Sequence, residues 1–162
     1  MNYVTSDNHF CHDGIIHICN RPFIDRKHME RELIKNYNSI VTKDDTCYFL
    51  GDVFWGKHWQ ELRTILSKMN GTKILILGNH CECDPFDYVK AGFQSVHTYL
   101  KVEEFNLIHD PAVATVKRNE PWICGHLHSV KGSCRHLNFY DCGVDGNNYK
   151  PISFDEIREY FK

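Results

Sequence analysis

The sequence predicts a layered α/β domain, and three observations predict it. Short apolar, β-prone runs recur along the chain. Amphipathic helical patterns separate the early runs, and the late part of the chain is richer in β-runs than in helices. The 162 residues contain no internal repeat, low-complexity tract or Pro/Gly-rich linker. One domain spanning residues 1–162 is therefore expected, long enough to bury a real core without staples.

The elements follow in order. YVT at 3–5 is the first strand. Residues 28–41 place Met29, Leu33, Ile34, Tyr37, Ile40 and Val41 on one helical face. CYFL at 47–50 is the second strand. A second helix over 58–69 presents Trp59, Leu62, Ile65, Leu66 and Met69. ILIL at 74–77 is the third strand. Asp84 then caps a short helix that opens on Pro85 and runs to Ala91. Three further runs read as buried strands: FNLI at 105–108, WIC at 122–124 and LNFY at 137–140. Ser153 and Glu156 form a capping-box pattern that starts a last helix through Tyr160.

Composition excludes several classes. Hydrophobic content of 42% and charged content of 25% are those of a soluble globular chain. No apolar run approaches the ~20 residues that span a bilayer, so no membrane partner is expected. The opening MNYVTSDNHF has neither a basic nor an apolar leader region, and a cytoplasmic location is expected. The net charge is −2 and the basic residues form no block, so no surface for duplex nucleic acid is evident. Eight cysteines do not form paired CxxC knuckles, and most read as small, reduced, buried hydrophobes. Eleven histidines are the more informative excess, since histidine is the commonest transition-metal ligand.

Metal-ligand residues collect just after the apolar runs. The first run ends in Asp7-Asn8-His9, the second in Gly51-Asp52 and the third in Gly78-Asn79-His80. Later runs end in His109 and in Gly125-His126-Leu127-His128. Ligands at strand ends share one edge of an α/β sheet, where such folds place their sites. Residues i and i+2 of an extended backbone point the same way, so Asp7/His9 and His126/His128 can each converge. Carboxylate, imidazole and amide oxygen together suit borderline metals and not a thiolate site. A carboxylate can bridge two cations ~3.5–4 Å apart, as in hydrolytic two-metal centres. The glycines before Asp52, Asn79 and His126 allow close backbone approach.

This series, in this order, resembles the calcineurin-like metallophosphoesterase superfamily over residues 5–145. Cys19-Asn-Arg-Pro-Phe23, the stretch Asp141-Cys-Gly-Val-Asp145, and Lys150-Pro-Ile-Ser153 resemble its small bacterial and phage branch, which has no cap domain. The resemblance implies a two-sheet β-sandwich flanked by helices, with a dinuclear site at one end of the sheets. It implies two divalent ions, with Mn²⁺ foremost and Fe, Zn or Ni as alternatives. Asp7, His9 and His128 would hold one ion, Asp52 would bridge, and Asn79, His109 and His126 would complete the second. The implied reaction is attack of a metal-bridging hydroxide on a phosphoester, with His80 as the general acid. Relatives often carry Asp or Glu where this chain has Cys81, so Glu82, Asp84 or Asp13 would have to keep His80 charged.

The expected substrate is a nucleotide or short oligonucleotide phosphodiester. Arg21, Phe23, Trp55, His58 and Arg135 are the candidate substrate contacts, with Lys117, Arg118 and His136 in nearby loops. Trp59 fits core packing better than base stacking. Competing readings are a small-molecule phosphomonoesterase, a non-catalytic protein-binding scaffold of the same fold, and a zinc protein that uses Cys81 and Cys83.

Overall fold

Alternation along the strands decides the layers. In a computed structural model that describes residues 1–113, 120–128 and 138–162, strand β2 (Thr46–Leu50) sends Cys47 and Phe49 into one core and Tyr48 and Leu50 into another. A strand buried on both faces needs a layer on each side. The sheet around it runs β4 (Ser95–His97), β3 (Thr72–Ile76), β2, β1 (Asn2–Thr5) and β9 (Ile152–Ser153). β1 to β4 are parallel and β9 is antiparallel to β1.

Helices cover one face of this sheet. α1 (Ile15–Ile18), α2 (Arg26–Asn38), α3 (Trp59–Leu66) and α4 (Pro85–Ala91) contribute Ile15, Met29, Leu33, Leu62, Leu66 and Tyr88 to the core beside Phe49 and Leu75. The opposite face meets a second sheet made of β5 (Leu100–Val102), β6 (Phe105–Leu107), β7 (Trp122–Cys124) and β8 (Phe139–Asp141). Val4, Tyr48, Leu50 and Ile76 pack there against Phe105, Leu107, Ile123 and Tyr140. α5 (Phe154–Phe161) adds Phe154 and Ile157 to this inter-sheet layer. The molecule is thus an α/β domain of two mixed sheets flanked by helices.

Local chemistry sets the helix ends. The helix expected at 28–41 starts at Arg26, because Asp25 accepts the His28 N–H at 2.7 Å as its N-cap. Asp84 caps α4 ahead of Pro85, and Ser153 and Glu156 complete the expected capping box of α5. Three short strands, β4, β5 and β9, and the one-turn α1 have no counterpart among the elements expected from the sequence. β4 and β5 lie at sheet edges, are only partly buried, and carry no apolar run. No helix among the described residues is long and apolar enough to cross a membrane. The seven cysteines within these segments are free thiols, and Cys47, Cys83, Cys124 and Cys142 are buried as expected. Leu137 and Cys134 lie outside the described residues.

Candidate metal centre

Parallel register brings the strand ends level. Thr5 pairs with Phe49 and Phe49 with Leu75, so the segments after β1, β2 and β3 leave the sheet side by side. The loops then lock together: Asp7 N–H donates to Gly51 O at 3.2 Å, His9 N–H to Asp52 O at 3.0 Å, and Gly125 N–H to His109 O at 3.0 Å.

The way paired ligands converge differs from the expectation of extended backbone. Asp7, His9, Asp52, His126 and His128 have φ of 56°, 51°, 48°, 71° and 50°, all left-handed. Asp7 and His9 reach a common point through tight turns, not through strand alternation, and the same kind of turn sends His126 and His128 to different donor groups. Sparsely populated backbone of this kind costs about 1–3 kcal/mol per residue and clusters at functional sites. Burial of a large apolar side chain contributes roughly 1.5–3 kcal/mol, so the two cores beneath the loops can offset that strain. Close approach is literal here. A Cβ on Gly78 would collide with Asp52 Oδ1, and one on Gly125 with Ser6 Oγ.

The expected ligands form two groups of donor atoms, and Cys19, His128 and Asp145 make a third cluster that shares His128 with the first. Asp7, His9 and His128 each place one ligand atom within 4.8 Å of the others, and Asp52, His109 and His126 do the same. In the first group, His9 Nε2 lies 3.3 Å from His128 Nε2, which lies 3.5 Å from Asp7 Oδ1. In the second, His109 Nε2 lies 2.9 Å from Asn79 Oδ1 and 3.3 Å from Asp52 Oδ2, and His126 Nδ1 lies 3.0 Å from Asn79 Oδ1. Such spacings are those of adjacent donors each ~2.0–2.2 Å from a shared ion.

The outer hydrogen bonds fix the direction of the lone pairs. His109 Nδ1 faces the Leu50 carbonyl at 2.6 Å, and His128 Nδ1 faces Asp145 Oδ2 at 3.0 Å. Neither the carbonyl nor the carboxylate can donate, so both Nδ1 atoms carry hydrogen, although the Cys19 thiol also lies 3.4 Å from His128 Nδ1; in the neutral rings both Nε2 atoms then point lone pairs inward. There they meet Asp7 Oδ1 and Asp52 Oδ2, buried carboxylate oxygens that accept no hydrogen bond. Buried acceptors facing acceptors demand positive charge between them. The titration behaviour has the same origin. Burial pushes Asp7 up, whereas at Asp52 burial is outweighed by His109 and the His80 N–H, and its carboxyl falls to about 2. Burial lowers His109 and His128, yet Asp52 and Asp7 reverse this for His109, and Asp145 and Asp7 for His128. His9 drops to about 3, through burial and then the nearby His128, and stays a neutral donor.

Every expected ligand therefore lies in one of the two groups. His80 is exposed, with its ring 6.1 Å from His9 and 5.3 Å from Trp55, and its N–H donates to Asp52 Oδ1 at 2.9 Å. Cys81 does not stand in for a carboxylate beside that ring. Its Sγ accepts the Gly78 N–H at 3.2 Å and ties the turn. Cys83 Sγ donates to Gly56 O at 3.4 Å, and neither cysteine joins a donor group among the described residues, against the thiolate-zinc alternative.

The substrate contacts divide. Arg21 is corrected: its side chain has no exposure, so it cannot meet a ligand. It forms a bidentate pair with Asp145 at 2.8 Å and donates to Asp7 O at 2.7 Å and Asn8 O at 3.0 Å. Phe23 is also displaced from the site, because it packs edge-on against Tyr149 at 4.8 Å. His58 is exposed at the start of α3 and lines no part of the groove beside the donors. Trp55 does line that groove, which holds about 700 Å³. Trp59 packs at the helix-side core, as its spacing suggested. Arg135, His136, Lys117 and Arg118 lie outside the described residues. Asp145 is the site residue that the ligand pattern missed. It supports His128 from 17 positions away, across a separation no local motif reports.

No family model matches the sequence. The chain is 35% identical over 167 residues to the uncharacterized protein MJ1445 of Methanocaldococcus jannaschii, covering 96% of this chain and 88% of that one. It is 36% identical over 192 residues to the Gene 66 protein of Mycobacterium phage L5, covering 96% and 91%. The chain belongs to the family that these proteins represent. A crystal structure of a protein of unknown function, AQ665 from Aquifex aeolicus, superposes with a TM-score of 0.79 at 27% identity, over 98% of both chains.

Proposed function

We propose that the protein is a dinuclear metal-dependent phosphoester hydrolase of the calcineurin-like metallophosphoesterase type, acting on phosphodiesters of the nucleotide class. One observation carries the reading: two partly buried groups of converging donor atoms, built by the five strand-end motifs that resemble that superfamily. The donor set fits divalent Mn, Fe, Ni or Zn, because it is oxygen and imidazole with carboxylate oxygens left unsatisfied.

Asp7, His9 and His128 would hold one ion, and Asp52, Asn79, His109 and His126 the other, with Asp52 shared. When bound, the ions supply Lewis acidity, which generates a nucleophile from water at neutral pH and neutralises phosphate charge. The chain does the rest. Buried Asp7 and Asp52 fix the charge the site attracts. The Leu50 carbonyl and Asp145 hold the two imidazoles in the donor tautomer. His80, exposed on the same rim, would protonate the leaving oxygen. The complete donor set argues against a catalytically silent scaffold.

Hydrolysis of bis-p-nitrophenyl phosphate with added Mn²⁺ tests the proposal. Wild type should turn over only with metal, and Asp52→Asn should lose both activity and bound metal. His80→Ala should lower turnover by ~10²–10⁴ while metal content persists. Metal-independent hydrolysis, or none across a phosphoester panel, would sink the reading.

A further inference from the structure

The groove of about 700 Å³ includes His9 and His128 of the first donor group in its lining and extends from them onto aromatic and apolar side chains. Its floor is an aromatic stack: the His12 and Trp55 rings lie 4.2 Å apart at 12°. Its walls are Ile15, Ile18 and Leu127, and His80 stands at the rim. Backbone bonds hold the stack in place, Trp55 N–H to Phe10 O at 2.8 Å and His12 N–H to His9 O at 3.2 Å. His12 Nδ1 also meets His9 Nδ1 at 3.3 Å, which connects the stack to a donor residue. Ile18 remains 74% exposed and Trp55 37%, apolar surface beside a polar centre that their own neighbours do not cover.

Resting on the phosphoesterase reading, we propose that this groove is the leaving-group subsite and takes a planar, uncharged aromatic group. A group whose ester oxygen is protonated by His80 must begin within hydrogen-bond reach of that ring, ~2.6–3.2 Å. The Trp55 ring lies 5.3 Å from His80, so the next atoms of the leaving group arrive at the indole. An aromatic face there favours any ring by stacking, with little choice among bases. Ile15, Ile18 and Leu127 would shield the other edge of the ring from water. A nucleobase and a simple aryl group share this chemistry.

Non-hydrolysable phosphonates separate the subsite from the metal centre. Calorimetric titration of the Mn²⁺-loaded protein would compare phenylphosphonate with methylphosphonate. Wild type should bind the phenyl compound about tenfold more tightly, as one stacked ring implies. Trp55→Ala should bring the ratio to near one, and Trp55→Phe, which keeps a ring in place, should retain most of it. A wild-type ratio near one, or a ratio unchanged in Trp55→Ala, overturns the subsite alone. Binding of neither phosphonate by metal-loaded protein overturns the phosphoesterase reading and the subsite with it.

Discussion

The two donor groups are alike in their inner atoms and unlike in what stands behind them. Behind His128 is a charged layer: Asp145 accepts from its Nδ1 and is gripped by the buried Arg21 guanidinium, which also binds the Asp7 and Asn8 carbonyls. Behind His109, among the described residues, its Nδ1 meets backbone, the Leu50 carbonyl at the end of β2. A carboxylate behind a histidine raises its basicity and fixes its ring, and a carbonyl fixes the ring with less charge. The first group can therefore be loosened by side-chain changes that touch no ligand. The second group is written into the sheet.

Arg21→Met tests this difference most severely. It would leave buried Asp145 with His128 but without the guanidinium, and two loop carbonyls without their Arg21 donor. Breaking one side of a buried ion pair costs about 3–5 kcal/mol. Denaturant unfolding of the chelated protein should register that loss, and the Asp7–His9 loop should loosen with it. Stability close to wild type would show that Arg21 does not hold the first group.

Asp145→Asn is the milder version, because an amide oxygen can still accept from His128 Nδ1. Replacing the partner of a metal-binding histidine typically lowers metal affinity 10–100-fold. Two-step metal titration should show the weakening in one binding event only. Equal weakening of both events would mean that the two groups are not separately supported.

Much of this was legible in the sequence, and the reason is physical. The ligands follow short apolar runs of β-prone residues, and parallel pairing of those runs must bring their ends together. What stayed hidden is non-local. Arg21 reads as a surface cation in a loop, since its partner Asp145 is 124 positions away. The left-handed backbone of Asp7, His9, His126 and His128 is equally silent, because Asp and His, though enriched at positive φ, adopt it far less often than glycine does. The edge strands β4 and β5 are three residues each, too short to show a period.

Asn79→Ala sharpens the other side of the comparison. Asn79 is exposed, yet its Oδ1 faces both His109 and His126. Loss of an exposed side chain should change folding stability by no more than about 0.5 kcal/mol. Metal affinity of the second group should still fall, so that stability and metal binding separate here where Arg21→Met couples them.

Cys81 should give the smallest effect, and a discriminating one. Its thiol accepts the Gly78 N–H inside the turn whose backbone closes from Cys81 N–H to Gly78 O at 3.2 Å. Sulfur is a weak acceptor, so Cys81→Ala should cost at the low end of the ~0.5–1.5 kcal/mol of an ordinary hydrogen bond. Cys81→Ser keeps an acceptor and should stay close to wild type. If Cys81 acts only by tying this turn, both variants should leave the pH dependence of turnover where it was. A shifted profile in Cys81→Ala would instead couple the thiol to the protonation of His80 and give residue 81 a part beyond tying the turn.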